Sequence, residues 1–167
     1  MKLITHETKI AVYQAEEIPE EYLQLIEEAK NQTKKSYAPY STFCVGAAVL
    51  LETGVIVKGN NQENSAYPSG LCAERVAMFY ANSQYPDVAP TVVVIAAFTG
   101  GEFLSEPITP CGACRQVLLE TEQRYDKPIK IILYGTEKTF ILDNVRQLLP
   151  LCFEKSSLKL DTEKMST

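Results

Sequence analysis

Seven consecutive apolar residues, Val92 to Phe98, form the longest such run in the chain. Their length predicts a buried strand rather than a membrane helix. A second apolar stretch, Phe43 to Leu51, is followed by the turn residues Glu52-Thr53-Gly54 and then Val55 to Gly59, the pattern of a hairpin. Ile129 to Tyr134 predicts another buried strand and Thr139 to Leu142 a short one, while Ile10 and Val12 suggest a strand over Thr8 to Tyr13. Helical spacing occurs in three places. Pro19 opens the first helix, where Tyr22, Leu23, Leu25, Ile26 and Ala29 recur at helical spacing, and Pro39 limits it near Tyr37. The second opens near Cys72 and carries Val76, Ala77, Phe79 and Tyr80 to about Gln84. The third begins at Cys111 and runs through Val117, Leu118 and Leu119 to about Arg124. Asn144 to Leu149 predicts a short helix before Pro150, and Asn60 to Gly70 a polar loop. Strands alternating with helices after an initial hairpin predict an α/β fold, a mixed sheet between helical layers. No repeat, low-complexity tract or linker divides the chain, so residues 1–167 are expected to form one domain, with a frayed polar tail at 159–167.

Composition narrows the possible partners. The chain has 167 residues, enough to bury a core without disulfides, and its 46% hydrophobic content is too high for a disordered chain. Sixteen Lys and Arg against 21 Asp and Glu leave a formal charge of −5, which argues against nucleic acid or an anionic membrane as the main partner. The start, Met1 to Glu7, turns polar too soon for a signal peptide, and a soluble, cytoplasmic protein is expected. Five cysteines stand beside a single histidine. An odd number excludes complete pairing within one chain, and reduced thiols point to metal binding, catalysis or burial. His6 lies in the N-terminal stretch, where a solvated side chain is expected, so acid–base chemistry here is expected to proceed without histidine.

Three cysteines fall at predicted helix starts, in Cys72-Ala73-Glu74-Arg75 and Pro110-Cys111-Gly112-Ala113-Cys114-Arg115. Two residues between Cys111 and Cys114 let both thiolates reach one ion, the spacing of half a zinc site. Helix N-termini favour the thiolate through exposed N–H groups and partial positive charge. The same pair also suits a thiol–disulfide oxidoreductase, which needs no metal, or two incidental core thiols. Cys72 offers a third thiolate, and three protein ligands leave a tetrahedral position open, the catalytic pattern. A closed structural site needs a fourth ligand, and the remaining Cys44, Cys152 and His6 are not suitably spaced. Glu74 is placed to hydrogen-bond a water at the open position, its plainer role being that of a first-turn helix acid. Three thiolates leave zinc a weak Lewis acid unless something draws charge from the sulfurs. Arg75 is the nearer candidate and Arg115 the weaker one, the alternative for each being a surface ion pair.

Cys72-x-Glu74 followed by Pro110-Cys111-x-x-Cys114 resembles the zinc-dependent nucleobase deaminase pattern. Tyr40-Ser41-Thr42-Phe43-Cys44-Val45-Gly46-Ala47-Ala48 and Asn61-Gln62-Glu63-Asn64 narrow it: most of the chain from Tyr37 to Phe153 resembles the short-chain, homotetrameric cytidine deaminases. Cysteine rather than histidine at 72 points away from the deoxycytidylate, guanine and transfer-RNA deaminases. Blasticidin-type deaminases share the cysteines but are not expected to carry both the Phe43 stretch and the Asn61/Glu63 pair. The resemblance implies a three-layer α-β-α sandwich with a mixed five-stranded sheet, and one zinc per chain on Cys72, Cys111 and Cys114. It implies hydrolytic deamination of cytidine and deoxycytidine to uridine and deoxyuridine, a pyrimidine-salvage reaction, with Glu74 as base and then acid. A deaminase acting on a modified cytosine nucleoside is the near alternative.

The resemblance also assigns the substrate contacts. Phe43 would stack on the pyrimidine, Asn61 and Glu63 would hold the ribose 3′-hydroxyl, and the backbone around Ala66 would bind the base. A carboxylate beside the sugar suits a neutral nucleoside and repels a 5′-phosphate. Tyr67 and Phe153 would complete a neighbouring subunit's site, Arg75 would attend the thiolates, and a carbonyl near Thr109–Pro110 would receive the leaving amine. Two features depart from the family pattern. The run from Thr99 to Thr109 is longer than usual, with Thr109 where serine is common, and Met1–Ile18 forms an extension suited to an added edge strand. Cys44 and Cys152 match no ligand position and are expected to be semi-buried thiols.

Overall fold

The computed structural model describes residues 1–158; the expected tail at 159–167 lies outside the described residues. Its strands are β1 (Ala11–Tyr13), β2 (Cys44–Leu51), β3 (Ile56–Asn60), β4 (Pro90–Thr99), β5 (Glu102–Phe103), β6 (Lys130–Leu133) and β7 (Thr139–Leu142). Its longer helices are α1 (Glu20–Thr33), α2 (Ala73–Gln84) and α3 (Gly112–Tyr125). The strands form one sheet in the order β1-β7-β6-β4-β2-β3, with β5 paired to β4. The β4–β6 pair is parallel and the other pairs are antiparallel, so the sheet is mixed as expected.

Among the described residues the strand count is seven rather than five, and both additions come from the two stretches that depart from the family pattern. β1 belongs to the N-terminal extension and pairs with the edge strand β7, Val12 opposite Phe140. β5 was not predicted. A tight turn at Gly100-Gly101 reverses the chain directly after β4, and Phe103 pairs with Phe98. Their rings meet edge to face at 5.2 Å, which holds a strand too short to show periodicity.

The continuous apolar run has a direct explanation. Along β4, Val92, Val94 and Ala96 pack with Leu25, Ile26 and Ala29 of α1 on one face. Val93, Ile95 and Ala97 pack with Ala77 and Met78 of α2 and Leu118 and Leu119 of α3 on the other. A strand buried on both faces carries no polar alternation. Helix α1 stops at Thr33 rather than near Tyr37, because the backbone of Tyr37 is committed elsewhere. Its N–H donates to the Asn61 carbonyl (3.0 Å), and its carbonyl accepts from Glu63 N–H (2.8 Å). The expected helix at Asn144–Leu149 is a single 3-10 turn, Val145–Leu148, capped by the Asn144 side chain. The loop Asn60–Gly70 likewise contains a 3-10 turn, Tyr67–Ser69. Among the described residues, no helix is long and apolar enough to cross a membrane.

Helix α2 sits unusually low on β3. A Cβ on Gly59 would lie 2.5 Å from Ala77 N and 2.7 Å from Ala73 O, both main-chain atoms of α2. Only a residue without a side chain permits this approach, and it sets the height of the helix that carries Cys72 and Glu74 at its start. Gly59→Ala is therefore expected to lower stability by about 1–3 kcal/mol, read as a lower urea midpoint. Gly112→Ala, at a position where a Cβ meets open space, is expected to stay within about 0.5 kcal/mol of the wild type. Equal effects of the two substitutions would refute this account of α2 packing.

Candidate functional site

The first residues of α2 and α3 converge at one end of the sheet. Cys72 and Cys111 occupy the two N-cap positions with extended backbones, and Cys114 lies in the first turn of α3. Neither cap side chain accepts from a backbone N–H of its own helix, so the thiols stand free of the usual capping role. The Sγ atoms of Cys72 and Cys111 are 3.8 Å apart, those of Cys111 and Cys114 3.4 Å, and all three lie within 4.8 Å of one another. Tetrahedral zinc with Zn–S bonds of about 2.3 Å places its sulfurs about 3.8 Å apart, so this donor set fits the ion. A disulfide needs the two sulfurs at about 2.05 Å, and none of the five cysteines is paired. Cys44 and Cys152 lie outside the trio, as expected; Cys152 donates to the Leu149 carbonyl (3.0 Å).

Charge is distributed unevenly over the sulfurs. The Cys72 thiol is brought down to about 5, chiefly by the Cys114 thiol bonding its thiolate, with Arg75 adding to the effect against the cost of burial. Cys114 is pushed upward by that same bond to Cys72 and by burial. Arg75 places Nη2 3.8 Å from Cys72 Sγ and 3.4 Å from the Gly70 carbonyl. Its Nε is buried without a partner among the described residues. Of the two arginines considered from sequence, Arg75 thus attends the thiolates, whereas Arg115 bonds the backbone of Pro110 and Leu148 instead. Glu74, only 5% exposed, has its carboxyl held above the usual range, first by burial and then by the neighbouring Cys72 charge.

Glu74, Cys72 and Cys111 open onto a cavity of about 730 Å³, also lined by Phe43, Asn61, Glu63 and Tyr67. Asn61 bridges the start of β2: its Oδ1 accepts from Val45 N–H (2.7 Å) and its Nδ2 donates to the Phe43 carbonyl (2.8 Å). Glu63 accepts from the Ser41 hydroxyl and from the backbone N–H groups of Tyr40 (2.9 Å) and Ser41 (3.3 Å). These bonds, the Ser41 hydroxyl foremost, hold its carboxyl below the usual range and so keep it charged. Ala66 lies on the adjoining turn without lining the cavity, and its N–H donates to Asn64 Oδ1 (2.8 Å). Phe153 is 61% exposed and does not reach the cavity of its own chain; Gln116 donates to its carbonyl (2.9 Å). His6 is exposed in the N-terminal stretch, away from the site.

Sequence reasoning assigned no role to several wall residues. Tyr40 and Ser41 lie in the motif stretch around Phe43 and fix Glu63, a link that the charge of Glu63 alone did not reveal. Ile108 sits in a connection without any periodic pattern, so no sequence signal marked it as part of the wall.

The model of a known family, described as the cytidine and deoxycytidylate deaminase zinc-binding region, matches residues 19–126. A cytidine deaminase of Sporosarcina psychrophila is 38% identical over 141 residues, covering 84% of this chain and 97% of its own. A probable cytidine deaminase of Dictyostelium discoideum is 32% identical over 145 residues, covering 87% and 92%. The crystal structure of a Burkholderia pseudomallei cytidine deaminase superposes with a TM-score of 0.64 at 36% identity, over 78% of this chain and 97% of that one. With the three-cysteine centre and the buried glutamate beside it, the chain belongs to the cytidine and deoxycytidylate deaminase zinc-binding family.

Proposed function

We propose that this protein hydrolytically deaminates cytidine and deoxycytidine to uridine and deoxyuridine, releasing ammonia. One observation carries the proposal: a buried carboxyl, Glu74, opens with two of three clustered thiols onto a cavity large enough for a nucleoside. Zinc held by Cys72, Cys111 and Cys114 supplies a Lewis acid that makes water acidic enough to act as a nucleophile near neutral pH. Arg75 withdraws charge from Cys72 and offsets the excess of thiolate around the ion. Glu74 accepts the proton of the attacking water and passes it to N3 of the pyrimidine as C4 is attacked. It then takes the remaining proton from the new C4 hydroxyl and gives it to the departing amino group as the C4 carbonyl forms, so one carboxyl is base and then acid. Burial suits both steps, because it brings the proton affinity of the carboxyl closer to that of the groups it serves.

Phe43 stacks on the ring, and Asn61 and Glu63 bind the ribose 3′-hydroxyl, each keeping hydrogen-bonding capacity beyond its protein partners. The backbone near Ala66 binds the base. The fixed charge on Glu63 and the net charge of −5 favour a neutral nucleoside over a phosphorylated one, and disfavour nucleic acid or an anionic membrane as partner. The fit of three sulfurs to zinc supports deamination over a Cys111/Cys114 oxidoreductase. We read residues 1–167 as one domain of a cytoplasmic enzyme, supported by the single sheet that joins its strands. Phe153, exposed and off the cavity of its own chain, supports a homotetramer in which it reaches a neighbour's site, whereas Tyr67, at 77% exposure, lines the rim of its own chain's cavity.

Incubation with cytidine and with deoxycytidine is expected to bleach the cytosine absorbance and release ammonia, while deoxycytidylate stays intact. No spectral change with either nucleoside would sink the proposal. Glu74→Gln is expected to lower kcat by about 10²–10⁴-fold while keeping zinc and melting no lower than wild type, since an amide needs no buried charge. Cys111→Ala is expected to lose the metal, by elemental analysis, together with turnover. An active variant at either position rules out the role given to that residue. Sedimentation is expected to give a four-chain particle, and a monomer with full activity would refute the shared site.

A further inference from the structure

Arg115 directly follows a metal-site cysteine, yet its guanidinium turns to three oxygens. Nε donates to the Pro110 carbonyl (2.8 Å), Nη1 to the Leu148 carbonyl (2.8 Å) and Nη2 to Thr109 Oγ1 (3.1 Å). A cation in the first turn of a helix lies near the partial positive end of that helix, an unfavourable place. Attraction to the thiolates does not explain it, because Arg75 already holds that role from α2. What the position exploits is the planar fork, whose donors leave in fixed directions and brace several acceptors at once.

The braced segment is a wall of the cavity. Ile108 and Thr109 line it next to Cys111, on chain that is neither strand nor helix. Upstream, the segment is tied by Leu104 N–H to the Ala97 carbonyl (3.2 Å), and by Thr136 N–H to the Leu104 carbonyl (2.9 Å). Downstream, Pro110 has no N–H, and the residue before a proline is kept extended, so Thr109–Pro110 cannot join the ladder of α3. The fork supplies the missing anchor. Its far arm rests on Leu148, at the end of a turn that is itself held: Val145 N–H donates to the buried Glu122 carboxylate (2.9 Å), and Gln147 N–H to Asn144 Oδ1 (3.2 Å).

We infer that Arg115 is a positioning residue for the proposed deamination: through Thr109 and Pro110 it holds the Ile108–Thr109 wall beside Cys111, where the resemblance puts the acceptor of the departing amino group. The inference rests on the function proposed above. A wall displaced by about 1 Å costs on the order of 10²-fold in rate, because an acceptor for the leaving group is then out of line. Uridine carries no amino group, so its binding depends less on the wall.

The test compares full-length, zinc-loaded wild type with Arg115→Lys, which keeps the charge and loses the fork, and Thr109→Val, which removes one arm. For Arg115→Lys, kcat on cytidine is expected to fall about 10- to 100-fold, with a smaller fall for Thr109→Val. KM and inhibition by uridine are expected to stay within about threefold, and zinc content and resistance to chelators to match wild type. In hydrogen exchange, amides of 106–113 are expected to exchange at least about tenfold faster in Arg115→Lys, with β4 unchanged. An unchanged kcat, unchanged exchange of 106–113, or zinc loss in proportion to activity loss overturns the inference. A wild-type chain inert toward both nucleosides overturns the proposed function instead, and exchange then decides alone whether Arg115 braces the wall.

Discussion

Two helix N-termini point at one small volume, and much else in this fold answers to that fact. Each end carries unbonded N–H groups and partial positive charge, so bringing α2 and α3 together is electrostatically unfavourable unless negative charge lies between them. Thiolates supply it, and Cys72 is further held toward the thiolate by the Cys114 thiol and by Arg75. The convergence is imposed by packing: Val93, Ile95 and Ala97 form the floor on which both helices rest, and Gly59 lets α2 lie directly on the strand backbone. Three thiolates would hold more negative charge than the helix ends offset, which makes a dication the natural completion of the site.

The buried carboxylates divide along the same line. Glu122 spends Oε2 on two backbone amides, Ile129 N–H and Val145 N–H, both at 2.9 Å, and so joins α3 to the entry of β6 and to the turn after β7. Glu74 is equally buried but opens onto the cavity, where burial raises its proton affinity. The first arrangement stabilises the native chain. The second costs stability and leaves a group able to exchange protons with a substrate.

Much of this was legible along the chain. The buried strands showed as continuous apolar runs and the three helices in their periodicity, and the donor set showed in Cys72-x-Glu74 and Cys111-x-x-Cys114, because those signals are local in the chain. Element ends were less legible where long-range pairing set them. Helix α1 ends at Thr33 because Tyr37 pairs with the Asn61–Glu63 stretch, a partner no local pattern reveals. Strand β5 has two residues and no period, and depends on the contact between Phe98 and Phe103.

The sequence by itself determined the candidate chemistry: three cysteines and a glutamate at helix starts, with the lone histidine far from them along the chain. Spacing and residue type bring the Cys111/Cys114 pair into view, since a pair on one helical turn is a local object, and the preference for zinc over disulfide chemistry came from the resemblance. Only the tertiary structure decided which of two similar arginines serves the thiolates. Arg75 and Arg115 each lie close to a metal-site cysteine, yet one reaches sulfur and the other reaches Thr109, Pro110 and Leu148. A long side chain has many rotamers, and which of them it adopts depends on acceptors brought near by the folding of distant segments. For Arg115 that acceptor lies 33 residues away, beyond any pattern a helix or strand repeats.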